Sequence, residues 1–482
     1  MKKAICLVGC LVGALMTMAQ TRPDQSKIVV LTDPHVMSPQ LLVSEGTAWT
    51  NYLAQDRKLI DYSRALFDEM VTRIKDDIQP GLVLITGDLS KDGEVLSHEY
   101  VVSKLDELKA QGIQTLVVPG NHDRGANGNA VFFDGSTTTP AEVATDAKFA
   151  TLYANYGYGE TSQRDPASLS FACEPLPDLV VIGIDSGTGG VISDATLSWI
   201  CQQAEQAQGN GKWVVAMMHH PLEPHFCHAD KFINNVSVAG YEHVRNQLAD
   251  AGISVLFTGH FHTSDILKDY NADLSKEIYD ISTGALASFP CDYRVLTLNR
   301  RQHQLAIETA HIESLPGVEN FSAKAEERLK TAVQETVSNQ GGAYALVAGD
   351  AAAAFVQHAK GNENDSPEAQ SILSTLKGYA SLARTLHLLE ETKIKQLEDM
   401  ANSMLQDLSN YGVEGRENRV DDLTLTIPLP EITSTAIEAV QTQSSSDSWY
   451  TLGGTKLAAK PQHRGLYIHR SSLSGERKVI VE

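Results

Sequence analysis

The sequence predicts an α/β fold built in layers, followed by a smaller helical appendage, and three observations carry that reading. Between Lys27 and about His311, short runs rich in Val, Ile and Leu alternate with longer stretches of helical period, as in a sheet whose inner strands are covered on both faces. Beyond His311 the composition turns to Ala, Leu, Glu and Lys at helical spacing. The 482 residues, 42% hydrophobic and 21% charged, exceed one ordinary domain and supply ample core.

The chain opens with Lys2 and Lys3, an apolar run from Ala4 to Met16, and small residues at Thr17 and Ala19 before Gln20. This is the pattern of a cleaved secretory signal over residues 1–19, which implies an exported protein, periplasmic or secreted. The run is shorter than the ~18 residues a membrane span needs, and no other segment is long and apolar enough. Leu7-Val8-Gly9-Cys10 has the shape of a lipid-attachment site, but its apolar lead of about six residues is short for one. Cys173, Cys201, Cys227 and Cys291 remain after the signal, with no CxxC pair to suggest zinc or thiol redox chemistry. Cys227 and Cys291 each follow a motif-bearing strand, so a disulfide between them is one pairing to test.

The candidate strands of the α/β part are KIVVLTD, GLVLITGD, TLVVPGN, LVVIGIDS, KWVVAMMHH and ISVLFTGH. Helices are expected at Asp56 to Lys75, His98 to Gln111 and Asp194 to Gln208, the last capped by Ser193 or Asp194. Five of these strands end in the same kind of chemistry. They deliver Asp33 and His35, then Asp88, then Asn121 and His122, then His219 and His220, then His260 and His262. In open α/β sheets ligands bind beyond the carboxyl ends of the strands, so neighbouring strands would gather these side chains in one pocket. Gly87, Gly120 and Gly259 each precede a polar residue, as expected where the backbone turns sharply.

Carboxylate, amide and imidazole donors together suit borderline divalent metals such as Mn, Fe, Co or Zn, while the histidine content disfavours Mg or Ca. Seven donors exceed the needs of one ion. Two ions sharing one carboxylate would use them all, an arrangement suited to phosphoryl transfer.

The ordered set Asp33-x-His35, Gly87-Asp88 with Gly93, Gly120-Asn121-His122-Asp123, His219 and Gly259-His260-x-His262 resembles the calcineurin-like metallophosphoesterase superfamily. The resemblance covers roughly residues 27 to 312, with every motif in family order. MMHHPL and YDISTGALASFPCDYR point to the class III cyclic-nucleotide phosphodiesterase and glycerophosphodiesterase branch. It implies a four-layer αββα sandwich of two mixed sheets, holding two divalent ions (Mn, Fe or Zn). Asp33, His35 and His262 would hold one ion, Asn121, His219 and His260 the other, with Asp88 bridging. A hydroxide between the ions would attack phosphorus, His122 would assist the leaving group, and Asp123 would orient His122. His219 rather than His220 matches the family's metal position. His98, His243, His303 and His311 are read as structural, while His225 and His228 retain a possible role at the site. Loop capping is the plain alternative for both Asp92 and Asp123.

The expected organisation is a signal at 1–19, the metallophosphoesterase domain at 20–312, a helical appendage at 313–415 and a β-prone tail at 416–482. Helices are expected at Ser322 to Ser338, Ala343 to Lys360 and Pro367 to Leu408, with Pro367 at a first helical position and Asn410-Tyr411-Gly412 as the stop. The appendage is either a packing subdomain or a lid over the substrate. The tail's last strands resemble a C-terminal secretion segment of Bacteroidetes proteins, and a plain hairpin fits them equally well. The net charge of −21 argues against nucleic acid as a partner and against an anionic membrane surface. A small phosphate ester stays compatible, because two bound cations would dominate the pocket's field. The leading reading is therefore phosphodiester hydrolysis. Phosphomonoesterase or nucleotide pyrophosphatase activity on the same site, or a non-catalytic binding protein stabilised by metal, are the alternatives.

Overall fold

A computed structural model describes residues 23–403 apart from 126–127, 226–234, 340, 342, 362–366 and 387–388, then 420–432, and strand segments between 448 and 481. Two compact units divide the chain, Met1–Thr433 and Ser434–Glu482. The expected signal, Cys10, Cys227, His228 and the Asn410 to Gly412 stop fall outside the described residues. Cys173, Cys201 and Cys291 are free thiols.

Two mixed sheets form the first unit, as the fold class predicted. In the six-stranded sheet Gln25–Leu31, Leu82–Ile85 and Gln114–Val117 run parallel at one side. Antiparallel Asp292–Asn299, Gln304–His311 and Thr424–Pro428 complete it. The seven-stranded sheet has Leu179–Ile184, Trp213–Met218, Val255–Thr258 and Glu277–Ser282 in parallel at its centre, flanked by antiparallel edges.

Period-two alternation decides what each face of the second sheet covers. Val181, Val215, Met217, Val255 and Phe257 point into the core shared with the first sheet. Val180, Ile182, Val214, Ala216 and Leu256 point the other way, against helices Asp194–Gly209 and Tyr241–Asp250. The first sheet's outer face is covered by Leu66, Phe67 and Met70 of helix Ile60–Arg73 and by Val101, Leu105 and Leu108 of helix Val95–Ala110. These runs look continuously hydrophobic because both faces of each strand are buried. Ser193 caps the Asp194–Gly209 helix, its hydroxyl accepting from the Thr196 N–H.

Three helices differ from the sequence reading, and the one expected from His98 begins at Val95. The helix expected from Asp56 begins at Ile60, because the Leu59 N–H donates to the Ala287 carbonyl at 2.7 Å and the Asp56 carboxylate takes the Lys58 N–H at 2.9 Å. The long helix expected from Pro367 is two, Pro367–Thr385 and Glu391–Ser403.

The appendage helices are inserted between two strands of one sheet. Thr424–Pro428 pairs in register with Gln304–His311, Leu305 opposite Ile427, so part of the stretch assigned to the tail belongs to the first unit. Phe321, Ala325 and Leu329 of helix Phe321–Ser338 and Val356 and Ala359 of helix Ala343–Ala359 join the main core. The second unit is a four-stranded antiparallel sheet, with Gly465–Ser471 between Ser448–Thr451 and Gly475–Val481.

Candidate metal centre

The five strands expected to carry ligands all lie in the parallel parts of the two sheets, so their carboxyl ends share one rim. The chain leaves three of these strands, those leading to Asp33, Asp88 and His260, in a tight reversal. Asp33, His35, Asp88, His260 and His262 have φ of 49°, 40°, 50°, 64° and 67°, the left-handed region that non-glycine residues seldom enter. Such conformations cost on the order of 1–3 kcal/mol each and persist only where surroundings impose them. Close packing is one of those surroundings: a Cβ on Gly120 would lie 2.1 Å from Asp88 Oδ1, and one on Gly87 2.6 Å from the His219 ring.

Two groups of donors result. In the first, His262 Nε2 lies 3.1 Å from Asp33 Oδ1 and 3.4 Å from His35 Nε2. His35 Nε2 is 3.5 Å from Asp33 Oδ1 and 3.6 Å from Asp88 Oδ2. In the second, His219 Nε2 is 2.9 Å from Asn121 Oδ1, 3.2 Å from His260 Nδ1 and 3.4 Å from the same Asp88 Oδ2. His260 Nδ1 is also 2.9 Å from Asn121 Oδ1. Asp88 Oδ2 is thus common to both groups.

The carboxylates divide their oxygens between holding and presenting. Asp33 Oδ2 accepts from Thr32 Oγ1 at 2.6 Å and from the His260 N–H at 2.9 Å, leaving Oδ1 to the first group. Asp88 Oδ1 accepts the His122 N–H at 2.8 Å, leaving Oδ2 between the groups. His219 Nδ1 donates to the Thr86 carbonyl at 3.0 Å, which leaves Nε2 as the ring nitrogen facing the second group.

These spacings fit divalent cations. Ligand bonds of roughly 2.0–2.2 Å hold neighbouring donor atoms roughly 2.9–3.5 Å apart about one ion. Imidazole nitrogens facing each other at 3.2 and 3.4 Å need a proton or a cation between them. Burial favours the neutral, ligating form of His35 and His260, which are pushed down to about 3. At His219 burial acts the same way, but Asp88 and Asp33 outweigh it and hold the group up at about 9. Burial alone would raise the Asp33 and Asp88 carboxyls; His262 and His219 respectively outweigh it and keep both well below the usual range.

His122 stands at the edge of the centre. Its Nδ1 lies 2.9 Å from both the Lys91 carbonyl and Asp92 Oδ1, and its Nε2 is 4.0 Å from Asp88 Oδ2. The carboxylate beside it is therefore Asp92, where the sequence reading placed Asp123. Asp123 instead accepts from the Gly120 N–H at 2.8 Å, the Ser90 N–H and Oγ at 2.9 Å each and the Leu89 N–H at 3.1 Å. It ties the Asp88 loop to the Asn121 turn from behind. Residue spacing could have suggested Asp92, which follows Asp88 by one turn's length; nothing in the sequence favoured it over a cap.

The remaining histidines separate clearly. His220 turns Nδ1 to Ser186 Oγ at 2.8 Å. His225 is buried between Asp280, 3.1 Å from Nε2, and Asp265, 3.3 Å from Nδ1, with its ring stacked on Phe261. It stands behind the loop carrying His260 and His262. His98 is buried against Ser90 and Tyr153, in the structural role expected of it.

Residues 26–264 match the family model for calcineurin-like phosphoesterases, and this part of the chain belongs to that family of metal-dependent hydrolases. A curated relative, the probable cyclic nucleotide phosphodiesterase of Synechococcus sp. (strain WH7803), is 24% identical over 242 residues, 49% of this chain and 74% of the relative. Among solved structures, "Termus thermophilus Sulfate thiohydrolase SoxB in complex with glycerol" matches at 13% identity and a TM-score of 0.28, covering 64% of this chain and 60% of that one. No helix among the described residues is long and apolar enough to cross a membrane.

Proposed function

We propose that the protein is an exported phosphodiesterase working with two divalent ions, Mn, Fe or Zn. One observation carries this: seven donors from five strands converge in two groups that share Asp88 Oδ2, while His122, paired with Asp92, clusters with His35 and Asp88 at their edge. Asp33, His35 and His262 would hold one ion, Asn121, His219 and His260 the other, and Asp88 both. Ions bound there supply the Lewis acidity that activates a water and screens the phosphoryl oxygens.

The chain's own residues then handle the leaving group. His122 Nδ1 faces two acceptors, so it carries a hydrogen whatever the charge of the ring. Protonated also at Nε2, the imidazolium can give that proton to the departing alkoxide oxygen and remain as the neutral Nδ1–H tautomer. Without metal, burial works against the charged ring, but Asp88 and Asp92 outweigh it and raise the group above its ordinary value. A diester needs such an acid because its leaving alkoxide is poor. The phosphodiesterase named among the relatives supports the same preference.

The test is hydrolysis of bis-aryl and mono-aryl phosphates by metal-stripped protein resupplied with Mn, Fe, Zn, Co or Mg. Turnover restored by metal and faster on the diester supports the proposal; two bound ions per chain without turnover on either ester sinks it.

A further inference from the structure

Behind the metal donors lies a buried polar cluster that the hydrolytic reading does not use. Asp280, in strand Glu277–Ser282 beside Val255–Thr258, is buried with both its oxygens occupied. Its Oδ1 accepts from Thr258 Oγ1 at 2.7 Å, and its Oδ2 from the Leu222 N–H at 2.6 Å and the Glu223 N–H at 3.2 Å. Thr258 stands shortly before His260, and Leu222 shortly after His219. One carboxylate therefore joins the ends of two ligand-bearing strands, which the Gly259 N–H, donating to the His219 carbonyl at 2.9 Å, also links.

His225 extends this grip along the loop from Thr258 to Asp265. Its Nε2 lies 3.1 Å from the same Asp280 Oδ2, its Nδ1 3.3 Å from Asp265 Oδ2, and its ring is stacked on Phe261 at a centroid distance of 6.0 Å. Phe261 is the residue between His260 and His262, and Asp265 begins the strand that follows them. The loop is thus held at its start, its middle and its end. Asp265 is fully buried, and neither of its oxygens meets an aligned hydrogen-bond donor among the described residues. Such a carboxylate is costly to bury unless positive charge faces it, and the His225 ring faces it. Burial alone would discharge that ring, but Asp265 and Asp280 outweigh it and hold the group well above its ordinary value. His358 and Asp422 also act on Asp265, and the His358 ring meets Phe261 edge-on at 5.4 Å, so the appendage reaches the same cluster.

We propose that Asp280 and His225 are positioning residues of the metal centre. They impose the left-handed turns at His260 and His262 and set those rings against His219, so that the donor atoms stand at cation-binding distances before an ion arrives. The proposal rests on the two-ion reading of the site and is independent of which ester is cleaved.

The experiment loads Co into full-length wild type, Asp280→Ala, Asp280→Asn, His225→Phe and Leu197→Ala. Affinity is measured by chelator competition, and ligand geometry by the visible absorption of the bound Co. His225→Phe keeps a ring against Phe261 and loses both charged contacts, while Leu197→Ala loosens the core beneath helix Asp194–Gly209. Removing groups that orient metal ligands typically weakens binding about 10- to 100-fold, so Asp280→Ala and His225→Phe should lose at least about tenfold in affinity for both ions and change the spectrum. Asp280→Asn keeps an acceptor and should recover part of each. Leu197→Ala should lower the denaturant midpoint with affinity and spectrum unchanged, which separates positioning from stability. Wild-type affinity and spectrum in Asp280→Ala and His225→Phe, or an equal change in Leu197→Ala, would overturn the assignment. Where those two variants do not fold, wild-type values in Asp280→Asn overturn it equally. Wild type that binds two ions but hydrolyses neither ester ends the phosphodiesterase reading alone, and the Co measurements still decide the positioning role; wild type that takes up no ion ends both.

Discussion

Asp92 Oδ1 lies 2.9 Å from His122 Nδ1, and the same carboxylate receives the buried Lys91 ammonium, whose Nζ sits 4.9 Å from the centroid of the Tyr52 ring. His122 is thus fixed by a chain of charged contacts that ends in an aromatic pocket. Burial would raise the Asp92 carboxyl, but His122 and Lys91 hold it at about 2, so it stays ionised beside the imidazole at any working pH.

Removing that charge should weaken the acid without moving the ring. Asp92→Asn keeps an acceptor for Nδ1 and loses the electrostatic support. The sign follows from the role: the reaction needs the protonated ring, so activity falls as pH climbs through the His122 pKa, which Asp92 raises. In Asp92→Asn the basic limb of the kcat profile should shift to lower pH. In His122→Ala, kcat for poor leaving groups should fall about 10²- to 10⁴-fold, and less for p-nitrophenolate. An unmoved basic limb in Asp92→Asn would remove Asp92 from this role.

His219 and His220 are adjacent in sequence, and their rings, 5.2 Å apart, face different partners. His219 Nε2 faces Asn121, His260 and Asp88, whereas His220 turns to Ser186. His219→Ala should lose one of two ions by elemental analysis, while His220→Ala keeps both. The reverse result would reassign the second group.

Metal uptake should also release a proton. Without metal, Asp88 and Asp33 hold His219 protonated up to about 9, yet ligation needs its lone pair. Affinity should therefore rise with pH up to about 9, by roughly tenfold per unit for one displaced proton. Calorimetry in buffers of different ionisation enthalpy at pH 7 counts that proton directly. A buffer-independent heat would contradict the assignment.

The convergence of the candidate donors was legible because each follows a buried strand, where a run of β-branched residues ending in Asp, Asn or His is visible in the letters alone. What stayed hidden depends on the third dimension. Nothing in the order Gly120-Asn121-His122-Asp123 says that Asp123 points back to Gly120 and Leu89 while His122 finds Asp92 across the loop. Arg57 and Lys58 were absorbed into a predicted helix, since the interruption at Leu59 comes from the distant Ala287 carbonyl. The Thr424–Pro428 strand was read as tail, because more than 100 residues separate it from the strand it pairs with. The left-handed turns at Asp33, His35, Asp88, His260 and His262 are imposed by packing around them, which local propensity does not encode.

Asp123 should behave as a structural staple. Asp123→Ala leaves the Gly120, Ser90 and Leu89 N–H groups without their acceptor in a buried loop. At about 1–3 kcal/mol for each unsatisfied donor, the loss should reach several kcal/mol, visible as a lower denaturant midpoint and weaker metal retention together. Asp123→Asn, which keeps one acceptor oxygen, should fall between. A variant with unchanged stability but a shifted pH profile would return Asp123 to His122.

Truncation separates the two units. Ending the chain after Glu313 removes the Thr424–Pro428 strand, so the Gln304–His311 edge loses its partner and Leu305 loses Ile427. It also removes the Pro430 carbonyl that accepts from Trp213 Nε1 at 2.8 Å, and the Phe321, Ala325 and Leu329 face that completes the core. Burying apolar surface contributes about 25 cal/mol per Å², so losing this face and an edge strand together is expected to leave an aggregating or unfolded product. Ending the chain after Thr433 keeps all of these contacts. That shorter protein should retain the full chain's cooperative unfolding transition and its two bound ions, measured by calorimetry and elemental analysis. Folding of the 313-residue truncation with both ions would instead make the appendage a separable lid.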